Sequence, residues 1–367
     1  MNNLNSSLKN KDASQFYSVH TFEIRMLLSR DEYIQCKNKL YDYCHTHGIS
    51  CYKHSPYIDC YKIFKQEGFT LLRTWYFGST DGCRYGMNII INARKLLGYM
   101  EYTQICIAPP KDMPRIMPAI YEKLDLIGLY YLDYNRFFLK RLDLCTNIKL
   151  KTSSEFREYM RLICKGKNIY NSELLLCYDK KQKRRIAPKD SFTLEGATFE
   201  ISLYAKQKQM HDSNNHYSAE ELQSAENQLR IELRFKSQKN KDLIDSYQNL
   251  DNLIYHIPEI GHKYITRYLN SIYGKGDFLR FDIATQQIED SNFHSDTKLK
   301  MRKFMKAVAK SSLSDAIEKY GKEQSDSMLS HFNELHISPI TLPVRSSYPR
   351  LLHPLRYIGS QNVNHYD

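Results

Sequence analysis

The sequence contains no apolar run near the roughly 20 residues that a membrane-spanning helix requires. Its greasiest stretch, residues 126–132, is much shorter. The first 14 residues are polar and hold no apolar core of the kind a signal peptide needs. Among the nine cysteines, an odd number, no Cys-x-x-Cys pair occurs, which excludes the common zinc-holding and disulfide-exchange patterns and a small disulfide-stapled scaffold. A Walker-type glycine loop, a Gly-x-Ser-x-Gly elbow and a dinucleotide fingerprint are all missing, so neither an ATP-driven nor a hydride-transfer reaction has support. No internal repeat is visible. These absences lead to the expectation of a cytoplasmic protein with reduced, mostly buried cysteines and no membrane partner.

What is present is a chain of 367 residues, 42% apolar, long enough for two domains with a buried core. Lys and Arg number 53 against 41 Asp and Glu, a net charge of +12 with a pI near 9.0. Such a balance favours a polyanionic partner, nucleic acid first. The 29 tyrosines fit the amino-acid usage of an AT-rich genome as readily as nucleic-acid chemistry.

The organisation reads as α+β. After a tail over residues 1–14, residues 20–28 form a strand, and Ser29 with Glu32 makes a capping box that opens a helix running to about Cys44. Short Tyr-, Phe- and Ile-rich segments at 60–64, 69–76, 87–92 and 102–107 predict a mostly antiparallel sheet. Asp112 precedes a helix carrying Ile116, Ala119, Ile120 and Leu124 on one face. Three segments then alternate with period two: residues 138–148, 198–206 and 229–236. Thr152 with Glu155 opens a helix between the first two, with Phe156, Tyr159, Met160 and Ile163 as its buried stripe. Helices on one face of this sheet would leave the other face polar.

Beyond residue 240 the pattern is helical. Residues 298–310 form a basic helix in which Leu299, Phe304 and Val308 are the core and Lys300, Arg302, Lys303 and Lys306 are available to DNA. Two further helices, at 314–320 and 325–335, each with a serine placed to cap it, are compatible with a helix-turn-helix module or with a plain helical cap. Four prolines from Pro339 to Pro354 make the last stretch extended. The expected domains are a catalytic one over 15–240, a helical DNA-binding region over 241–345 and an extended tail over 346–367.

On the polar faces of the alternating strands stand Asp143, Glu200 and Glu232, acids suited to a hard divalent cation. Tyr204 lies on the matching face with Lys206 two residues on, and a phenol beside cations can attack phosphorus. Arg141, Arg230, Arg234 and Lys236 share these faces. Simple ion pairing on an exposed sheet would produce the same pattern. His45-Thr46-His47 is a weak metal pair at a helix end, and the basic run 180–185 is a hairpin tip or a phosphate contact.

The strings Arg141-Leu142-Asp143-Leu144, Leu203-Tyr204-Ala205-Lys206 and Leu229-Arg230-Ile231-Glu232-Leu233 occur in that order. They resemble the three signature strands of rolling-circle replication initiators of plasmids and phages, the type without a His-hydrophobe-His metal pair, related to some conjugative relaxases. The resemblance implies Tyr204 as the nucleophile that links to a 5′ phosphate and frees a 3′ hydroxyl. It also implies Asp143 and Glu232 as ligands of Mg²⁺ or Mn²⁺, and Lys206 and Arg230 as phosphate holders. Ala205 stands where the family has Asp or Asn, and Asn147 where some members carry an acid. Cys177-Tyr178-Asp179-Lys180 spells the tyrosine string a second time; Tyr204 is preferred because 28 residues separate it from Glu232 and its strand directly precedes the Arg-Ile-Glu strand. The implied partners are origin DNA, unpaired or hairpin at the nick and duplex nearby, with a host helicase and polymerase. A relaxase acting on a transfer origin and a non-catalytic DNA-binding protein are the alternatives.

Overall fold

The computed structural model describes residues 13–79, 82–101, 105–179, 184–186, 188–213 and 216–360. β1 (Ser18–Leu28) alternates Phe22, Ile24 and Met26, all fully buried, with Glu23, Arg25 and Leu27 on the other face, the period of a strand with one covered side. Ser29 opens α1 (Arg30–Thr46) with the expected capping box. Its Oγ accepts the Glu32 N–H at 3.2 Å, and Glu32 Oε2 accepts the Ser29 N–H at 2.7 Å, a cap that contributes about 1 kcal/mol. Tyr33, Cys36, Leu40 and Cys44 form the buried stripe of α1, with Cys36 Sγ 3.8 Å from Met87 Sδ.

β2 (Cys51–Ser55), β3 (Ile58–Tyr61), β4 (Phe69–Ser79) and β5 (Gly82–Asn92) follow, then α2 (Ala93–Leu96) and α3 (Ile116–Leu126). The strand expected at 102–107 does not form at residues 105–107, and residues 102–104 lie outside the described residues. Asn92 accepts the Lys95 N–H at 3.0 Å and caps α2, so the chain leaves the sheet there. The second half runs β6 (Phe138–Lys149), α4 (Ser153–Ile163), β7 (Glu173–Leu174), β8 (Cys177–Asp179), β9 (Arg184–Ile186), β10 (Ser191–Glu195), β11 (Phe199–Ala205), α5 (Lys206–His211), α6 (Ala219–Ser224) and β12 (Gln228–Phe235). Helices then dominate: α7 (Ser237–Tyr247), α8 (Leu250–Tyr255), α9 (Ile257–Tyr273), β13 (Phe278–Leu279), α10 (Phe281–Glu289), α11 (Ser295–Lys310), α12 (Leu313–Tyr320), α13 (Lys322–Glu334), β14 (Arg350–Leu351) and α14 (Pro354–Ser360).

Ten strands form one large antiparallel sheet in the order β2-β3-β4-β5-β1-β6-β12-β11-β10-β7. With the helical C-terminal region this is the α+β architecture expected. The chain divides into two compact units. The first holds the described residues up to Cys145 with Leu233–His262, the second Thr146–Glu232 with the described residues from Lys263 on. The strand order reads outward from β1 as β1-β5-β4-β3-β2 and from β6 as β6-β12-β11-β10-β7. Each series is a strand, a side-chain-capped helix, an edge strand and three strands returning inward. One topology is used twice, although the sequence shows no repeat; only the short hairpin β8–β9 and the helices α5 and α6 interrupt the second copy.

Several local expectations need correction. Lys206 is the first residue of α5, so the strand ends at Ala205. In α4 the Thr152 Oγ1 caps the Glu155 N–H at 3.1 Å, but the Glu155 carboxylate turns to the Lys151 N–H at 3.0 Å and the Tyr357 hydroxyl at 2.8 Å, leaving half a box. Leu299 is 41% exposed while Met301 and Met305 join Phe304 and Val308 in the core. Ser312 caps α12, but Gly321 occupies the N-cap of α13 and Ser325 is buried inside it. The proline-rich end is not uniformly extended: β14 pairs with β13 and Pro354 begins α14. Of the expected N-terminal tail, residues 1–12 lie outside the described residues, and Ser14 is buried. Among the described residues, no helix is long and apolar enough to cross a membrane.

Docking of the C-terminal segment carries a pH dependence. His353 is buried, and burial pushes its imidazole down to about 4, against the pull of the nearby Asp277 carboxylate. The unfolded chain, with an ordinary imidazole, takes up the proton first as pH falls. Stability from this residue is therefore complete above about pH 6.5 and is lost as pH falls through 4, a change on the order of 3 kcal/mol. Urea midpoints between pH 7 and pH 4 should fall in the wild type, with a shallower slope in His353→Gln.

Candidate active site

β11 places Phe199, Ile201 and Leu203 in the core, which turns Glu200, Ser202 and Tyr204 to the opposite face. β12 does the same with Leu229, Ile231, Leu233 and Phe235 against Arg230, Glu232 and Arg234. The Tyr204 hydroxyl donates to Glu232 Oε1 at 2.8 Å. Arg230 Nη1 lies 3.7 Å from the same oxygen, and Arg230 Nε donates to Asn147 Oδ1 at 2.9 Å. Lys206 Nζ sits 5.8 Å from the centre of the Tyr204 ring and donates to Gln209 Oε1 at 2.8 Å.

This face is not the exposed polar surface the alternation suggests. Arg230 is 0% and Lys206 1% exposed, while Tyr204 and Glu232 are partly accessible. Charges withdrawn from water act more strongly on a neighbour than charges on an open sheet. The arrangement therefore offers a phenol, a carboxylate in hydrogen bond with its proton, and two fixed cations. A cleft of about 410 Å³ opens on Tyr204, with Ser191, Thr193, Ser202, Lys208 and Gln209 on its walls. Thr193 and Ser202, opposite each other on β10 and β11, share a hydroxyl hydrogen bond of 3.0 Å.

A larger cavity of about 870 Å³, lined by Phe156, Met160, Phe281, Leu342 and Val344, is apolar. Its Cys164 thiol is pushed up to about 12 by burial, and its Glu158 pairs with Arg161 at 2.8 Å. The Tyr204 hydroxyl, hydrogen-bonded to the Glu232 carboxylate, lies beside the smaller cleft.

Asp143 in the first unit is 2% exposed and accepts from Arg141 Nε at 2.9 Å and Arg234 Nε at 2.8 Å. Two guanidiniums thus occupy the carboxylate expected to hold metal. Glu200 stands opposite Glu195, four residues before Tyr204, roughly 13 Å along the strand. Lys236 follows β12 at the N-cap of α7. Among the described residues no group of three or more His, Cys, Asp or Glu side chains is placed to hold a metal ion. Asp143 and Glu200 thus stand apart from the Tyr204–Glu232 hydrogen bond, with Asp143 held by two guanidiniums. His47 ends α1, stacked on Tyr43 with Nδ1 2.9 Å from the Tyr43 carbonyl oxygen.

The chain is similar to a rolling circle replication initiator protein from Geobacillus stearothermophilus. The TM-score is 0.32 and the identity 8%, over 88% of this chain and 97% of that one. At that TM-score the likeness transfers neither fold nor function. No family model and no curated protein matches the chain.

The remaining expected residues fall into two groups. On α11, Lys300, Lys303, Lys306 and Lys310 are exposed along one side of the helix, whereas Arg302 pairs with Glu289 at 2.9 Å. The outer side of α13 carries Glu323 and Asp326, so of these two helices α11 presents the denser row of exposed lysines. Tyr178 belongs to β8, opposite Arg185 in a two-stranded sheet separate from the ten-stranded one. Residues 180–183 of the basic run lie outside the described residues.

Sequence reasoning missed Gln209 as the partner of Lys206 and the hydroxyls of Ser191 and Thr193. Their period-two spacing on β10 was the available signal. It also missed Tyr170: burial raises its phenol, but hydrogen bonds with Ser271 and Arg267 and the charge of Lys167 outweigh this and hold it below its ordinary value. Tyr170 bonds to Ser271 Oγ at 3.0 Å and Arg267 Nε at 3.2 Å.

Proposed function

We propose that the chain is a replication initiator of the rolling-circle type that nicks one DNA strand at a plasmid or phage origin with Tyr204. The observation that carries this reading is the 2.8 Å hydrogen bond from the Tyr204 hydroxyl to Glu232, beside buried Arg230 and Lys206. In the proposed step Tyr204 Oη attacks phosphorus as its proton passes to Glu232. The bond from phosphorus to the 3′ oxygen breaks, and that oxygen takes up a proton to become the free 3′ hydroxyl. The phosphate remains on Tyr204 as a 5′-phosphotyrosyl diester, and a polymerase extends the 3′ end. Arg230 and Lys206 offset charge on the attacked phosphate.

The strand must be unpaired at the scissile bond for a sheet-bound phenol to reach it, so a hairpin or melted origin is the proposed substrate, opened further by a host helicase. Mg²⁺ or Mn²⁺ belongs to the proposal as an ion arriving with the phosphate, whose charge it would neutralise. Incubating the protein with supercoiled origin plasmid and either ion is expected to give open circles with protein on the 5′ end. Retention of specific binding with no nick and no adduct would reject this function in favour of a non-catalytic binding protein.

The lysine row on α11 supports a grip on duplex DNA. Replacing Lys300, Lys303 and Lys306 together by Ala should weaken binding to all duplexes alike. It should also reduce the salt slope of log affinity by about 2 to 3, near 0.9 per lost phosphate contact. Filter binding at four salt concentrations checks this.

A further inference from the structure

The first unit carries its own polar sheet face, which the nicking chemistry does not use. Strand register puts Arg73, Asn88 and Arg25 side by side across β4, β5 and β1, with Trp75, Gly86 and Leu27 in the next row and Phe77 opposite Arg84 beyond. These side chains are tied to one another within the face. Arg73 Nη2 donates to Glu23 Oε1 at 2.7 Å, and Asn88 also donates to Glu23. Asn88 Oδ1 in turn accepts from Trp75 Nε1 at 2.7 Å and from Arg25 Nε at 3.0 Å. The Arg25 guanidinium lies 4.9 Å from the Trp75 ring centre. A Cβ on Gly86 would approach the indole to 2.4 Å, so the ring packs directly across that glycine.

Above this fixed layer stand rings and apolar groups that the fold leaves open. Phe77 is 49% exposed, 5.4 Å from Trp75, and Tyr52 is 46% exposed with Lys62 Nζ 5.7 Å from its ring. Leu27 is also open. The acid of the face, Glu23, is engaged by Arg73 and Asn88, while Arg84 is exposed. In the repeated topology β4 is the counterpart of β11 and β5 of β12. The first unit thus presents aromatic rings and guanidiniums on strands equivalent to those bearing Tyr204 and Glu232.

We infer that this face is a second, non-catalytic platform that holds single-stranded DNA, its bases stacking on Phe77 and Tyr52 and its phosphates meeting Arg84 and Lys62. Exposed rings on a sheet can stack only on bases that are not already paired and stacked in a duplex, and a cation beside each ring, Arg84 opposite Phe77 and Lys62 near Tyr52, can meet the phosphates. The inference rests on the reading above for its choice of DNA, but its test does not depend on nicking. Trp75 is the chain's single tryptophan and lies beside Phe77, so its emission reports occupancy.

With the full chain and fluorescein-labelled (dT)20, anisotropy should show binding and Trp75 emission should change on saturation. The double variant Phe77→Ala with Arg84→Ala should bind (dT)20 roughly tenfold more weakly or worse. Unaltered emission, an equal response to a duplex of the same length, or unchanged affinity in the double variant overturns the inference. Loss of nicking with (dT)20 binding intact would instead count against the proposed function alone.

Discussion

Tyr204→Phe is expected to lose covalent adduct and plasmid nicking together, by on the order of 10⁴-fold or more, as when the nucleophile of a covalent catalyst is removed. The substitution deletes one oxygen from a half-buried ring and with it the hydrogen bond to Glu232. Its cost to stability is only about 1 kcal/mol, so lost activity will not reflect lost fold. Glu232→Gln discriminates further. The amide still accepts the phenolic hydrogen bond but cannot take the proton, and an intermediate loss of about 10²- to 10⁴-fold is expected. Gel assays of open circles, scored with and without protease, measure both variants. A Tyr204→Phe protein that nicks at the wild-type rate would assign the nucleophile elsewhere.

The largest effect on stability is expected at Asp277. Its carboxylate is 2% exposed and accepts from Arg350 Nε at 2.6 Å, Arg356 Nη1 at 2.6 Å and the His353 N–H at 2.8 Å. Its backbone carbonyl also accepts the Ser338 N–H at 2.8 Å. One acid thus ties β13, β14 and α14 together. Breaking a buried charge pair from one side costs about 3–5 kcal/mol. The two guanidiniums remain 47% and 57% exposed, so water takes part of the load and the lower end applies. Asp277→Ala should therefore lower Tm by roughly 6–12 °C and speed proteolysis after residue 350. Asp277→Asn, which keeps one acceptor, should lie between. Calorimetry of the three proteins tests this, and an unchanged Tm would show that the C-terminal segment is not held by this residue.

How far the sequence foretold the molecule depended on whether a pattern was local. Ser29 and Glu32 announce α1 because both halves of a capping box lie within four residues. The strands β6, β11 and β12 were legible because their apolar residues alternate over seven residues or more. Lys206 was misplaced because an alternating run continues smoothly into the first turn of a helix, where periodicity has no power over one residue. Leu299 was exchanged for Met301 and Met305 against the helical spacing: Met301, Phe304, Met305 and Val308 follow an i, i+3, i+4, i+7 stripe, and Leu299, five residues before Phe304, falls on the lysine side.

Long-range facts were not legible. Burial of Arg230 follows from Asn147 on a strand more than 80 residues away. The engagement of Asp143 by Arg234 crosses 91 residues, and it sets that carboxylate within an ion cluster. The duplicated topology was invisible for a related reason. Strand order is set by the chain's path through the sheet, while the two copies place different chemistry on equivalent strands: Trp75 and Phe77 on one, Tyr204 on the other. The proximity of Tyr204, Glu232, Arg230 and Lys206 was therefore not readable as a geometry.

The most direct measurement of the central claim is peptide mapping by mass spectrometry of the protein after reaction with an origin oligonucleotide. The account predicts a single nucleotide-modified peptide, carrying its 5′ phosphate on Tyr204. A modified peptide containing Tyr178 or Tyr170 instead, or an origin that is nicked with no tyrosine adduct, would contradict it.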